Sequence, residues 1–184
     1  MLKRLAPLIC VLLAMLLDTA VLPIFMYGRY LVPVSLAVVM AIGITLGRMR
    51  GMLYGMISGL LLDISAGTLG MKLFPFIIIG FLIGFLLDQQ PEISRTMEKR
   101  ERTQLLAVRA IWAAVLVVLF EIVMLVYQYF STAILKWSYI RDLLVRTLIT
   151  TALVMLLTPL MKRLSSGKAV RIGKKRTTQE VKKF

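Results

Sequence analysis

Four charged side chains interrupt runs that are otherwise oil: Asp18, Asp63, Glu121 and Arg146. Carboxylates in such settings share a proton to attack a peptide bond, relay protons, hold a ligand, or pair with a base and fix helix register. Paired-aspartate proteolysis is not supported, because no Gly-x-Gly-Asp sequence surrounds Asp18 or Asp63. A Gly-x-Ser-x-Gly elbow, a phosphate loop and the Asp repeat of phospholipid synthases are missing as well. With no histidine and one cysteine, Cys10, the chain has almost no ligands for zinc, haem or iron–sulfur and cannot form an internal disulfide. No catalytic residue, metal or cofactor is expected, and the chain reads as a non-enzyme.

The solvent decides what these charges cost. The chain has 184 residues, 59% of them hydrophobic and 17% charged, with a mean hydropathy of +0.86. A water-soluble domain needs more polar surface than that. The net charge is nevertheless +14, from 23 Lys+Arg against 9 Asp+Glu. Basic residues dispersed between apolar spans are explained by membrane topology, so no nucleic-acid partner is expected. The reading is an all-α integral membrane protein.

Apolar stretches run over 5–27, 31–47, 51–66, 71–87, 105–130 and 140–161. At about 1.5 Å per residue each is of the order of the ~30 Å hydrocarbon core, which gives six transmembrane helices. Asp18 breaks the first run, and no signal-peptide cleavage pattern follows it, so that helix is expected to be retained. Pro7, Pro23, Pro33, Pro75 and Pro159 fall near the expected helix ends. With both termini cytoplasmic, 17 basic residues lie inside and only Arg29, Lys72 and Lys136 lie in outside loops. The polar linker 88–104 is the one sizeable cytoplasmic loop. The domain is expected to be 1–161, followed by a disordered basic tail, 162–184, resting on anionic lipid. The location is the bacterial cytoplasmic (inner) membrane, crossed several times.

In this topology Asp18, Glu121 and Arg146 fall roughly 9–14 Å below the outer surface, and Asp63 lies nearer to it. Glu121 and Arg146 sit on the antiparallel pair of helices five and six and form the preferred ion pair, which Asp18 could join. Glycines recur at 43, 47, 51, 55 and 59, followed at the same spacing by Asp63 and Gly67. Small residues four apart let helices approach closely in lipid, and Gly51, Gly55, Gly80 and Gly84 are assigned to helix packing. Gly59, Asp63, Gly67, Leu69 and Gly70 are assigned to a turn or partner interface. There a carboxylate can accept hydrogen bonds from free N–H groups of the turn or from a partner.

The stretch GMLYGMISGLLLDISAGTLGMKLFPFIIIGFLIGFL (51–86) resembles the central signature of the rod shape-determining protein MreD family. The match rests on a glycine-spaced helix ending in Leu-Leu-x-Asp, a Gly-x-Leu-Gly turn and a helix carrying Gly-x-x-x-Gly. The resemblance implies a non-enzymatic component of the bacterial elongation machinery, the elongasome, acting in cell shape and lateral peptidoglycan synthesis. Its implied partners are an MreC-like bitopic protein, the MreB filament and the RodA–transpeptidase synthase. It also implies a fold similar to the substrate-binding subunits of energy-coupling-factor (ECF) transporters. The alternative function follows from that fold: a small-molecule, vitamin-type binding subunit with an outward-facing polar pocket.

Topology is testable directly. In a Cys10→Ala background, single cysteines at Thr68 and Ser138 should react with an impermeant thiol reagent from outside. Those at Ser94 and Thr178 should react only after permeabilisation. External labelling at Ser94 overturns the six-span topology.

Overall fold

The computed structural model describes residues 2–25, 32–68, 70–88, 99–132 and 138–165. Leu69, the linker from 89 to 98 and the tail beyond 165 lie outside the described residues, and with them most of the segment expected to rest on anionic lipid.

Every regular element among the described residues is helical, and the helices form six rods. The first rod is continuous but uneven: α1 (Leu2–Leu16), a π-helical turn (Leu17–Val21) and α2 (Leu22–Phe25). In the π turn the Leu22 N–H reaches back five residues to the Leu17 carbonyl. The others are α3 (Val34–Leu46), α4 (Arg48–Ala66), α5 (Leu73–Asp88), α6 (Lys99–Thr132) and α7 (Ser138–Ser165). Helices α6 and α7 outrun the apolar stretches that nucleate them. The polar residues from Lys99 to Gln104 are good helix formers, so the linker expected as loop is helical over its last third.

The centre is α3. Its residues from Ser35 through Gly43 are all buried, as expected for a helix that is apolar all round. It packs against α1, α4, α5 and α7. Around it lie Phe76, Ile79 and Ile83 of α5, Leu116, Val117 and Phe120 of α6, and Val154 of α7. Phe76 meets Phe120 edge to face, with ring centroids 5.6 Å apart. The outward faces of α1, α6 and α7 expose Leu13, Leu16, Ile111, Phe130, Leu148 and Leu156, a surface suited to lipid and not to water. Three helical segments are long and apolar enough to cross a membrane: Ala6–Ile24, Thr103–Tyr127 and Asp142–Leu164. Two more, Val34–Leu46 and Leu73–Leu87, are apolar but shorter. The chain is an all-helical integral membrane protein.

Glycines set how closely α3, α4 and α5 approach. A Cβ on Gly51 would land on the Gly80 carbonyl oxygen, and one on Gly55 on the Phe76 carbonyl oxygen. A Cβ on Gly59 would sit 2.6 Å from Leu73 Cα, and one on Gly84 2.5 Å from Arg48 Cα. These pairs fix α4 and α5 as antiparallel neighbours in backbone contact. Gly43 of α3 joins at the same level, its Cβ position 3.0 Å from the Gly80 oxygen. The four-residue glycine series therefore does not form one stripe. Gly47, with φ +88°, ends α3 and starts α4, while Gly67, with φ +66°, ends α4 in the left-handed conformation.

The seam carries a simple prediction. Gly51→Ala forces two backbones apart and is expected to cost roughly 1–3 kcal/mol. Met56→Ala, on the exposed face of the same helix, should cost well under that. Thermal unfolding of both variants in one detergent compares them. Equal midpoints would show that the backbones do not meet at Gly51.

Candidate functional site

Helices α3 and α5 both begin at the end of the bundle where the first rod, α4 and α6 finish. We call it the cap end. The first N–H groups of a helix have no partner within it, and in lipid each unmet donor costs several kcal/mol. At α5 the donors can be followed one by one. Lys72 N–H donates to Asp63 Oδ1 at 3.0 Å and Leu73 N–H to Asp63 Oδ2 at 2.9 Å. Phe74 N–H takes the Gly70 carbonyl and Phe76 N–H the Lys72 carbonyl, while Pro75 between them has no N–H to satisfy. The Thr68 hydroxyl also donates to Asp63 Oδ1, at 2.9 Å, and the Thr68 N–H reaches the Asp63 carbonyl at 3.0 Å. Asp63 thus closes α4, the turn and the start of α5 into one unit. At 5% exposure it is buried, and its carboxylate is taken up by donors of its own chain.

Asp18 serves α3 in the same way. Its two oxygens accept the N–H groups of Val34 and Ser35, each at 2.9 Å, and the Ser35 hydroxyl as well. The residue that supplies this cap lies in the π turn of the first rod, where an extra residue per turn redirects the side chain. Both carboxylates are therefore remote N-caps, placed 16 and 9 residues before the helix starts they serve. Each also puts negative charge at the positive end of a helix dipole.

Glu121 and Arg146 face one another between α6 and α7, with Arg146 Nη1 3.9 Å from Glu121 Oε2. Glu121 is buried and Arg146 is partly accessible. Asp18 is not brought to this pair and spends its oxygens on α3. Along the same inward stripe of α7 stand Thr147, Thr150 and Thr151. Thr150 donates to the Arg146 carbonyl, as Thr19, Thr45, Ser65 and Thr158 donate to the carbonyl four residues before each. Thr147 and Thr151 do not. Their hydroxyls are buried without a partner among the described residues, as is that of Ser58 on α4. Among the described residues no three of His, Cys, Asp and Glu gather to hold a metal ion.

Sequence reasoning missed Ser35, Lys72, Thr147 and Thr151. A signal for the first two exists: Pro33-Val34-Ser35 and Lys72-Leu73-Phe74-Pro75 both place proline at a helix start, where a capping group is needed. Nothing in the local sequence distinguishes Thr147 and Thr151 from threonines that bond back to their own helix.

Comparison with known proteins corrects the resemblance drawn from residues 51–86. The family model that matches is "ECF-type riboflavin transporter, S component", over residues 5–165. No curated protein and no solved structure matches the chain. The reason the MreD resemblance misleads is physical. Gly51, Gly55, Gly59, Gly80 and Gly84 build a close hairpin and Asp63 caps its second helix, a solution open to any small membrane bundle. The roles in cell shape, the elongasome and peptidoglycan synthesis fall with that resemblance. So do the partners it implied, MreC, the MreB filament and the RodA–transpeptidase synthase. A match that runs from the first helix to the last, over an all-helical membrane bundle, carries the assignment instead: the chain belongs to the ECF-type riboflavin transporter S-component family.

Proposed function

We propose that this chain is the vitamin-capturing subunit of an ECF-type transporter, with riboflavin as its ligand. The family match over residues 5–165 is the observation that carries this reading. The subunit captures its ligand without chemistry and delivers it to a coupling module made of ATPases and a transmembrane T component. We further propose that both termini are cytoplasmic, with six crossings of the bacterial cytoplasmic membrane, so that the cap end faces outward. The surplus of basic residues on the opposite side supports that orientation.

Ligand capture at the cap end agrees with the chemistry of α6 and α7. Arg146 offers donors, Glu121 an acceptor, and the unpartnered hydroxyls of Thr147 and Thr151 offer both. A flavin carries carbonyls, an imide N–H and a polyhydroxyl chain, which complement such a mixed set. Leaving the Thr147 and Thr151 hydroxyls without a partner in an apolar setting costs about 1–3 kcal/mol each, and a bound ligand recovers that cost.

Riboflavin titrated into the purified protein, followed by quenching of flavin fluorescence, should give a saturable one-to-one isotherm. The pair Thr147→Val and Thr151→Val keeps side-chain volume and should weaken binding roughly tenfold, about 1.4 kcal/mol. Arg146→Met should weaken it further. Folded protein that leaves riboflavin fluorescence unchanged and retains no vitamin through purification overturns the reading.

A further inference from the structure

The two capped helix starts are neighbours. Helices α3 and α5 run parallel, and Gly43 of α3 lies against Gly80 of α5. Eight residues toward the N-terminus on each helix, Ser35 falls level with Lys72. The α4 register agrees: Gly51 lies against Gly43, so Gly59 falls level with Ser35, and the Lys72 carbonyl lies 3.1 Å from the Cβ position of Gly59. The Asp18 cap on Ser35 and the Asp63 cap on Lys72 are thus side by side, held by different stretches of chain. Lys72 belongs to both. Its N–H donates to Asp63, and the register sets it level with Ser35, whose N–H and hydroxyl Asp18 holds. Among the described residues its ammonium makes no ion pair within 4 Å.

Two parallel helix starts at one level bring two positive dipole ends to the same side of the bundle, and the two carboxylates offset them. Asp18 is a half-buried carboxylate whose donors are all neutral, and Lys72 is the base the packing delivers to its side of the bundle. We infer that Lys72 is a positioning residue: through Asp18 it locks the start of α3 to the α4–α5 turn, so that both sides of the cap end move as one body. The effect on a ligand rests on the transporter reading above; the lock itself does not.

Amide hydrogen exchange on the full-length, ligand-free protein in nanodiscs tests the lock. Lys72→Met keeps the backbone N–H that caps onto Asp63 and removes only the charge. Exchange at Val34 and Ser35, which Lys72 does not bond, should rise about tenfold, while Leu73 stays within about twofold. Lys72→Arg should restore protection. In an Asp18→Asn background Lys72→Met should add less than about twofold, because the group it acts through has lost its charge. Unchanged exchange at Val34 and Ser35, or an equal rise in the Asp18→Asn background, overturns the inference. If riboflavin binds, its dissociation should be faster from Lys72→Met and unchanged for Lys72→Arg; a dissociation rate indifferent to both removes the positioning role. Failure of riboflavin to bind at all counts against the transporter reading and leaves the exchange result to decide the lock.

Discussion

The rest of the bundle depends on the backbone contact among Gly43, Gly51 and Gly80. In lipid no hydrophobic force drives helices together, so association rests on close packing and on hydrogen bonds that tails cannot supply. Three glycines at one level let α3, α4 and α5 meet without side chains between them. Any Cβ at Gly51 or Gly80 would occupy the same space as the opposing backbone, so the approach belongs to the sequence and not to adjustable packing. From that contact outward, Ile83, Ile79 and Phe76 fill the wedge toward α6, and α3 becomes the axis around which the longer helices stand.

Close approach has an electrostatic consequence. Parallel α3 and α5 place two helix starts together, each with free N–H groups and a positive dipole end in a low-dielectric setting. Neither helix supplies its own cap, because Pro33 and Lys72 offer no acceptor side chain where one is needed. The acceptors come from the helices that precede them. Asp63 reaches over a turn shaped by Gly67 and Gly70, both at positive φ, and Asp18 reaches out of a π turn. A carboxylate that accepts two backbone donors contributes about 1.5–3 kcal/mol per bond, against several kcal/mol lost if those donors face lipid unmet. The charges in these oily runs are thus part of the fold's hydrogen-bond accounting.

This explains what the sequence does and does not disclose. Helical class, membrane setting and the packing role of spaced glycines follow from composition and period, since both are properties of short windows. The Asp63 turn is local, nine residues from acceptor to donor, and an N–H-accepting carboxylate can be anticipated there. Asp18 is harder, because its first donor lies 16 residues on and the π turn that aims it leaves no mark in the sequence. Depth in the membrane puts Asp18 level with Glu121 and Arg146 and gives no sign of its cap on α3. The family assignment fails for a related reason. Residues 51–86 encode a way of packing two helices, and a packing solution is shared more widely than a function is.

The two halves of the cap end differ in how their polar groups are met. At the starts of α3 and α5 the backbone donors find carboxylates, and little is left over for anything outside the chain. On α7 the opposite holds. Thr147 and Thr151 forgo the carbonyl four residues before them, the partner that Thr150 and Thr158 on the same helix accept. A buried hydroxyl among apolar side chains gains nothing by staying unpaired, so stability alone would favour valine at both sites. An unpaired threonine hydroxyl there costs stability. On the transporter reading proposed above, a ligand with matching donors and acceptors lying against α7 recovers that cost, so that one half of the cap end holds the fold and the other half serves the ligand.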